Sequence, residues 1–320
     1  MRGVSIRLRI TLAFIPVVVL LLGGCAGVEG PAVPPVEAAM ASEEPPAATH
    51  TAAPSVTPSA APTATAVPTT TATPTPTPEP TATPLPPDWQ ALGRGISQAH
   101  LPVPIPGRDD GAIFWVYALR LDPDRVEFRV FHDTEARSID AWHAITGADV
   151  TVNGGFFFSN YAPQGRLVID GEMIGTALDP SARIGVPGLF GVLDGKVTIT
   201  SLGRSEYTPR GMRFDQAVEA YPMLLLPGRQ PAYPPRDGDR ARRTVIGLDE
   251  EGHVILLLVD GPIFSLVELA DWLAESNLNL QTALNLDGGR SSALAVTAGG
   301  TQTIIPAYVD LPIVIAAYAR

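Results

Sequence analysis

Residues 283–294 read Ala-Leu-Asn-Leu-Asp-Gly-Gly-Arg-Ser-Ser-Ala-Leu. The first part alternates like a strand, with the leucines on one face and Asn285 and Asp287 on the other. Gly288 and Gly289 end this strand, and a second apolar run follows at once. The stretch therefore predicts a buried strand that delivers a carboxylate to a glycine loop.

A second stretch repeats this arrangement. Residues 151–157 read Thr-Val-Asn-Gly-Gly-Phe-Phe, so a strand again leads through a polar side chain, Asn153, to a glycine pair, Gly154 and Gly155. Glycine pairs let the backbone approach a ligand and leave N–H groups to bind oxyanions. Tight hairpin turns are the alternative interpretation. Two such stretches in one domain favour two walls of one site.

The first 25 residues are typical of an export signal. Arginines precede an apolar run that is short for a membrane span, and residues 22–25 read Leu-Gly-Gly-Cys. This ending resembles the bacterial lipoprotein signal, in which cleavage leaves the cysteine lipidated. Cys25 is the only cysteine, which excludes an intramolecular disulfide. We expect an exported protein that is lipid-anchored at Cys25 to the outside of the bacterial cell membrane. An ordinary signal peptide, or a membrane anchor with an incidental cysteine, is the alternative.

Residues 26–87 are predicted to be a disordered linker. They contain no aromatic residue, and 16 of the 33 prolines lie between Pro31 and Pro87. Such a segment has too little apolar surface to offset its conformational entropy, and it favours polyproline II. We expect it to act as a stalk between the membrane and a folded domain.

Residues 88–320 are predicted to be that domain, and their number suits a single core. They carry 19 basic and 28 acidic residues, which argues against nucleic acid as a partner. Short apolar strands, among them one predicted over residues 218–226, alternate with turns and few helical patterns. The predicted fold class is mixed α/β (α+β): a strand-rich single domain with a mixed sheet and few helices. The oligomeric state is left open.

A strand–helix–strand unit is predicted in the C-terminal part of the domain. An apolar strand over residues 253–259 ends at Asp260, and a capping box from Ser265 to Glu268 begins a helix that leads to the strand before Asp287. Parallel strands in such a crossover bring their C-terminal ends to one sheet edge. We therefore expect Asp260 and Asp287 to be neighbours.

The order of four motifs resembles the phosphodiester glycosidase family. The motifs are residues 153–157 (Asn-Gly-Gly-Phe-Phe), 243–247 (Arg-Thr-Val-Ile-Gly), 259–261 (Val-Asp-Gly) and 285–289 (Asn-Leu-Asp-Gly-Gly). The resemblance covers about residues 110–320 and implies a hydrolase that acts on a phosphodiester-linked sugar. Two positions depart from the family pattern. Pro262 replaces an expected arginine, and Arg290 stands where glycine is usual, so that Arg290 either supplies the missing cation or narrows the substrate range.

The residue types suit cleavage of a sugar-1-phosphodiester. This chemistry needs a carboxylate at the oxocarbenium-like centre, and cations with N–H donors around the phosphate. The candidate catalytic residues are Asp287 and Asp260. The candidate substrate-binding residues are Asn153, Gly154, Gly155, Arg243, Asn285, Gly288, Gly289, Arg290 and Ser291. For each of them a loop cap, a turn brace or a structural ion pair is the alternative role.

Two other functions and a metal site are alternatives to this interpretation. A serine hydrolase is disfavoured because the chain has no Gly-x-Ser-x-Gly elbow. No cofactor is predicted. Two aspartates at one edge could hold Ca²⁺ or Mg²⁺, and this alternative stays open, although no EF-hand spacing is present and no His/Cys cluster indicates zinc. The competing class is a non-catalytic carbohydrate-binding lipoprotein on the same fold. Retained paired carboxylates favour the enzyme.

Overall fold

The structure, a computed structural model, describes residues 86–178, 185–202, 213–234 and 238–320. These residues belong to one compact unit that extends over residues 77–320. The predicted export signal with Cys25, and nearly all of the predicted linker, lie outside the described residues. Within the described ranges, no helix has the length and apolarity needed to cross a membrane.

The described residues form mostly strands, together with two α-helices. In chain order the elements are β1 (Gln90–Gly93), β2 (Ile96–Pro104), β3 (Ile113–Leu121), β4 (Val126–Arg137), α1 (Ile139–Thr146), β5 (Val150–Asn153), β6 (Leu167–Ile169), β7 (Glu172–Ile174), β8 (Gly188–Leu193), β9 (Lys196–Ser201), β10 (Gln216–Ala220), β11 (Met223–Leu226), β12 (Gln230–Pro231), β13 (Ala241–Asp249), β14 (Val254–Phe264), α2 (Leu266–Glu275), β15 (Leu280–Asn285), β16 (Leu294–Ala298), β17 (Thr301–Ile305) and β18 (Leu311–Ala319).

The strands form three sheets. An eight-stranded sheet has the order β1-β2-β3-β14-β13-β15-β11-β12, and two five-stranded sheets have the orders β7-β6-β10-β8-β9 and β17-β16-β5-β18-β4. Each pairing between these strands is antiparallel. The strand-rich prediction is confirmed, but the mixed sheet is wrong, and the domain is closer to all-β than to α+β.

The position of β13 explains this difference. β14, α2 and β15 follow one another as predicted, and the Ser265–Glu268 capping box begins α2. However, β13 pairs with β14 on one side and with β15 on the other. β14 and β15 therefore run parallel without touching, and two interstrand spacings put their backbones about 10 Å apart. Asp260 and Asp287 share a sheet edge, as predicted, but they are not on adjacent strands.

The predicted strand over residues 218–226 is divided between two sheets. β10 pairs with β6 and β8, whereas β11 pairs with β15 in the eight-stranded sheet. The chain passes from one sheet to the other at Tyr221 and Pro222. The crossing places these two residues beside the end of β15, where Asn285 N–H donates to the Pro222 carbonyl at 3.0 Å.

The main apolar core lies between the eight-stranded sheet and the five-stranded sheets. Leu119 and Ile246 come from the first, and Phe190 and Ile315 come from the other two. The opposite face of the eight-stranded sheet is covered by α2, whose buried side chains pack with those of β13 and β14. Both faces of the central strands are thus removed from water, which accounts for their continuous apolar runs.

Candidate active site

The loop that carries Asp287 begins where β15 leaves the sheet. The Leu286 N–H donates to the Thr244 carbonyl of β13 at 2.9 Å, just before the chain turns. A short 3-10 turn, Gly289–Ser291, follows. Gly289 has a φ of 60°, in the left-handed region that favours glycine, so the second glycine of the pair is required by the turn itself.

Asn153 fixes the backbone of Asp287. Its Nδ2 donates to the Asp287 carbonyl at 2.7 Å, while its Oδ1 accepts from the Thr244 hydroxyl at 2.8 Å and from the Ala293 N–H at 3.0 Å. The side chain is 1% exposed. Asn153 therefore joins β5, β13 and both ends of the glycine loop. Its side-chain amide, which was predicted to bind substrate, is used for these structural hydrogen bonds.

The Asp287 carboxylate is half-buried at the start of the loop. Burial raises the pKa of Asp287 from its ordinary 3.8 to about 6, although hydrogen bonds from the Ser291 hydroxyl and the Gly288 N–H oppose the shift. The Gly288 N–H donates to Asp287 Oδ1 at 2.8 Å. A carboxyl group with a pKa near 6 can change protonation state close to neutral pH, as a proton-transfer group must.

The two glycine pairs are held in different ways. The Gly154 N–H donates to the Ile313 carbonyl at 2.9 Å, and a Cβ on Gly154 would lie 2.5 Å from Ile313 Cγ2. A Cβ on Gly155 would lie 2.9 Å from the Glu219 carbonyl. The Gly154 N–H is therefore already bonded within the fold, and close packing against Ile313 accounts for this glycine. Backbone approach of the glycine pairs to a ligand stays a prediction. A Cβ on Gly288 would lie 3.1 Å from the Arg242 carbonyl.

Asp260 is engaged by Arg242, which the sequence analysis did not select. The Arg242 Nε donates to Asp260 Oδ1 at 2.7 Å. β13 and β14 have irregular register here, because Ala241 pairs with Phe264 while Arg243 pairs with Val259. Residues 260–263 thus form a bulge opposite Arg242. Asp260 keeps a half-exposed carboxylate at that bulge, with 47% of its side chain accessible.

The predicted cations Arg243 and Arg290 both lie at the glycine loop. Arg243 Nη2 donates to the Asp239 carbonyl at 2.6 Å, and its Nη1 lies 4.0 Å from the position that a Cβ on Gly288 would take. Arg290 is exposed, and its Nη2 donates to the Tyr308 carbonyl at 3.3 Å. The structure brings both guanidinium groups to the loop that follows Asp287.

Two stacked aromatic rings lie near Asp287. Phe156 and Tyr221 stack with ring centroids 4.1 Å apart and an interplanar angle of 13°. Burial raises the pKa of Tyr221, and the nearby charge of Asp287 raises it further. Asn285 Nδ2 donates to the Tyr221 carbonyl at 3.0 Å, and its buried Oδ1 has no hydrogen-bond partner among the described residues. An acceptor for a ligand donor is therefore present beside the stacked rings.

One group of metal-type ligands occurs in the described part of the chain, at the far end of β13 from Asp287. It consists of Asp249, Glu251 and His253, whose ligand atoms lie within 4.8 Å of one another. Arg120 pairs with both Asp249 and Glu251, so a cation already balances these carboxylates. Asp260 and Asp287 do not belong to this group.

The arrangement can be compared with known proteins. The fold is similar to the catalytic domain of the zebrafish N-acetylglucosamine-1-phosphodiester alpha-N-acetylglucosaminidase, auto-inhibited by its pro-peptide. The TM-score is 0.54 at 19% identity over 74% of this chain and 89% of that chain. It is also similar to a hypothetical protein from Synechocystis, with a TM-score of 0.50 at 18% identity over 74% of this chain and 64% of that chain. A search of the curated proteins by sequence finds no match.

These likenesses define a class of fold, and the sequence profile defines the family. The phosphodiester glycosidase profile matches residues 146–309, just over half of the chain. The chain belongs to the phosphodiester glycosidase family, as its four motifs predicted.

Sequence reasoning missed Arg242, Tyr221 and Tyr308. Arg242 stands beside the selected Arg243, and only the bulge at residues 260–263 decides which of the two meets Asp260. Tyr221 was not selected because it lies within residues 218–226, which were predicted to form one continuous strand. The Tyr308 ring lies 4.4 Å from Arg242 Cζ, and no local pattern near residue 308 signals this contact.

Proposed function

We propose that this protein hydrolyses a sugar-1-phosphodiester, with Asp287 as the group that acts in the transition state. The observation that carries the proposal is the half-buried Asp287 carboxyl, whose pKa of about 6 is set by burial within a braced glycine loop. Perturbed carboxyl groups of this kind are typical of acid–base sites. Membership of the family supports the same reaction class.

The surrounding groups suit the parts of such a substrate. The phosphate departs as a stable anion, so cleavage depends less on proton donation to the leaving group than it does for an ordinary glycoside. A carboxylate is still needed to stabilise or attack the oxocarbenium-like centre, or to activate water. Asp287 supplies it, while the guanidinium groups near Gly288 and Tyr308 attract the phosphate. Asn285 Oδ1 is available to accept from a sugar hydroxyl or acetamido N–H.

Asp260 has a supporting part in this proposal. It holds the Arg242 guanidinium at 2.7 Å and stands at the same sheet edge as Asp287, with β13 between them. Its loss should therefore reduce turnover less than the loss of Asp287. Comparing turnover of the Asp260 and Asp287 variants therefore shows whether one carboxylate dominates catalysis or both contribute equally.

The substrate is proposed to belong to a cell-envelope or extracellular glycopolymer. This part rests on the sequence ending Leu-Gly-Gly-Cys at residues 22–25 and on the proline-rich segment after it, which would hold the domain outside the membrane. A glycosidase anchored in this way would meet phosphodiester-linked sugars of the surface rather than metabolites of the cytoplasm.

The test measures whether the full-length protein hydrolyses UDP-N-acetylglucosamine and aryl or alkyl sugar-1-phosphodiesters. Asp287→Asn keeps size but removes the charge, so turnover should fall by roughly a thousandfold or more, and Asp260→Asn should cost less. Asp140→Asn, on helix α1 and outside the candidate site residues, is the matched control and should leave turnover unchanged. Near-normal turnover by Asp287→Asn would contradict the proposal. Sugar binding without turnover by the wild type would favour the non-catalytic alternative.

A further inference from the structure

The Arg242 guanidinium is the most deeply buried cationic group around the candidate site. The residue is 6% exposed. Its Nε donates to Asp260 Oδ1 at 2.7 Å and its Nη2 donates to the Pro306 carbonyl at 2.9 Å. Arg242 Cζ lies over the Tyr308 ring, 4.4 Å from the ring centroid.

The third nitrogen, Arg242 Nη1, is buried and has no hydrogen-bond partner within the described ranges. Arginine does not lose its proton in proteins, so both N–H groups of Nη1 need acceptors. A buried donor without an acceptor costs about 1–3 kcal/mol, and more when it is charged. A bound ligand could therefore supply the hydrogen-bond acceptor that Arg242 Nη1 lacks.

The chain around Arg242 connects it to Asp287. The Arg242 carbonyl lies against Gly288, and the Tyr308 N–H donates to the Arg290 carbonyl at 2.7 Å. One loop, residues 287–290, therefore carries the candidate catalytic carboxylate at its start and holds the Tyr308 segment at its end. Asp260 balances the charge of Arg242 while leaving one edge of the guanidinium unused.

We propose that Arg242 Nη1 binds a phosphate oxygen of the substrate and so selects an anionic leaving group. This inference rests on the proposed hydrolysis of a sugar-1-phosphodiester and names a residue for its specificity. A planar guanidinium held in place by a carboxylate, a carbonyl and an aromatic ring matches phosphate oxygens better than a flexible ammonium does.

The first test is calorimetric binding of inorganic phosphate to the full-length protein, with ionic strength held constant by sodium chloride. The wild type should bind phosphate saturably, and Arg242→Lys should weaken binding at least tenfold. The matched control is Arg166→Lys, because Arg166 also forms a buried pair, with its Nε 2.8 Å from Glu219 Oε2. The control should bind phosphate like the wild type. Wild-type affinity in Arg242→Lys, or no binding by the wild type, overturns the inference.

A second variant keeps the inference testable if Arg242→Lys does not fold. Asp260→Asn removes a negative charge next to Arg242, so phosphate affinity should rise severalfold. Unchanged or weaker binding in a folded Asp260→Asn protein would contradict the assignment.

Turnover separates this inference from the proposed function. If Asp287→Asn abolishes cleavage while Arg242→Lys still binds phosphate normally, hydrolysis stands and the Arg242 assignment fails. If phosphate binds through Arg242 but no sugar phosphodiester is cleaved, the anion site stands and the proposed hydrolysis fails.

Discussion

At the scale of single residues, the candidate site depends on the neutral side-chain amide of Asn153, which holds Asp287 in place. Asn153 satisfies a backbone carbonyl, a backbone N–H and a hydroxyl that would otherwise be buried without partners. The position of Asp287 is therefore set from across the domain rather than by its own loop. A fixed carboxyl group cannot move towards water to recover its hydration, and its raised pKa reflects that constraint.

The raised pKa predicts how stability depends on pH. The folded state binds the Asp287 proton more tightly than the unfolded state, since the pKa rises from 3.8 to about 6. The stabilisation by this proton is fully present below the unfolded pKa and is lost as pH rises to about 6. The loss is about 3 kcal/mol for a shift of about two units.

Asp287→Asn removes this titration and provides the measurement. Urea unfolding of both proteins between pH 4 and pH 8 should show the stability of the variant rising relative to the wild type up to about pH 6, with a constant difference above that. Other carboxyl groups titrate in both proteins and cancel. Parallel stability curves across this range would show that Asp287 has an ordinary pKa.

At the scale of elements, the glycine pairs show how much could be predicted from local sequence. Strand, polar residue and Gly-Gly were correctly expected at both positions, and the capping box of α2 is present. The role of each glycine was not predictable, because it depends on a distant neighbour: Ile313 for Gly154, and Arg242 for Gly288.

The order of strands in the sheets could not be predicted from local sequence patterns either, because it also depends on distant residues. The insertion of β13 between β14 and β15 depends on pairings between residues that are distant along the chain. The bulge at residues 260–263 then decides that Arg242, rather than Arg243, meets Asp260. Periodicity and turn residues describe a strand but do not specify its partners.

Two glycine substitutions should separate packing from turn geometry. Gly154→Ala places a Cβ 2.5 Å from Ile313 Cγ2, so it should lower the free energy of unfolding by about 1–3 kcal/mol. In Gly289→Ala the added Cβ meets no atom within 4 Å, and only the left-handed φ is unfavourable, so the loss should be about 1 kcal/mol. Denaturant unfolding measures both. Equal losses would mean that β5 relaxes around the added methyl group.

At the scale of the whole molecule, the proposed cell-envelope substrate requires the domain to be outside the cell. The described residues belong to a single unit, and the sequence before it carries the expected lipidation site. Anchoring and folding should then be independent properties of the chain.

Cys25→Ser tests this independence. Without the thiol no lipid can be attached, so the protein should leave the membrane fraction after salt washing, while the unfolding transition of the domain stays unchanged. Fractionation before and after washing, with denaturant unfolding of the released protein, gives both results. A Cys25→Ser protein that remains in the washed membranes would contradict the lipoprotein prediction.

The place of β18 in its sheet has a consequence for how the chain acquires its structure during synthesis. β4 pairs only with β18 in the described topology, and β5 lies between β16 and β18, so strands from the first half of the domain find their partners in its last residues. The ribosome must therefore release almost the entire chain before this sheet can close. Non-local pairing of this kind slows folding, and it delays assembly of the glycine loops until the polypeptide is complete.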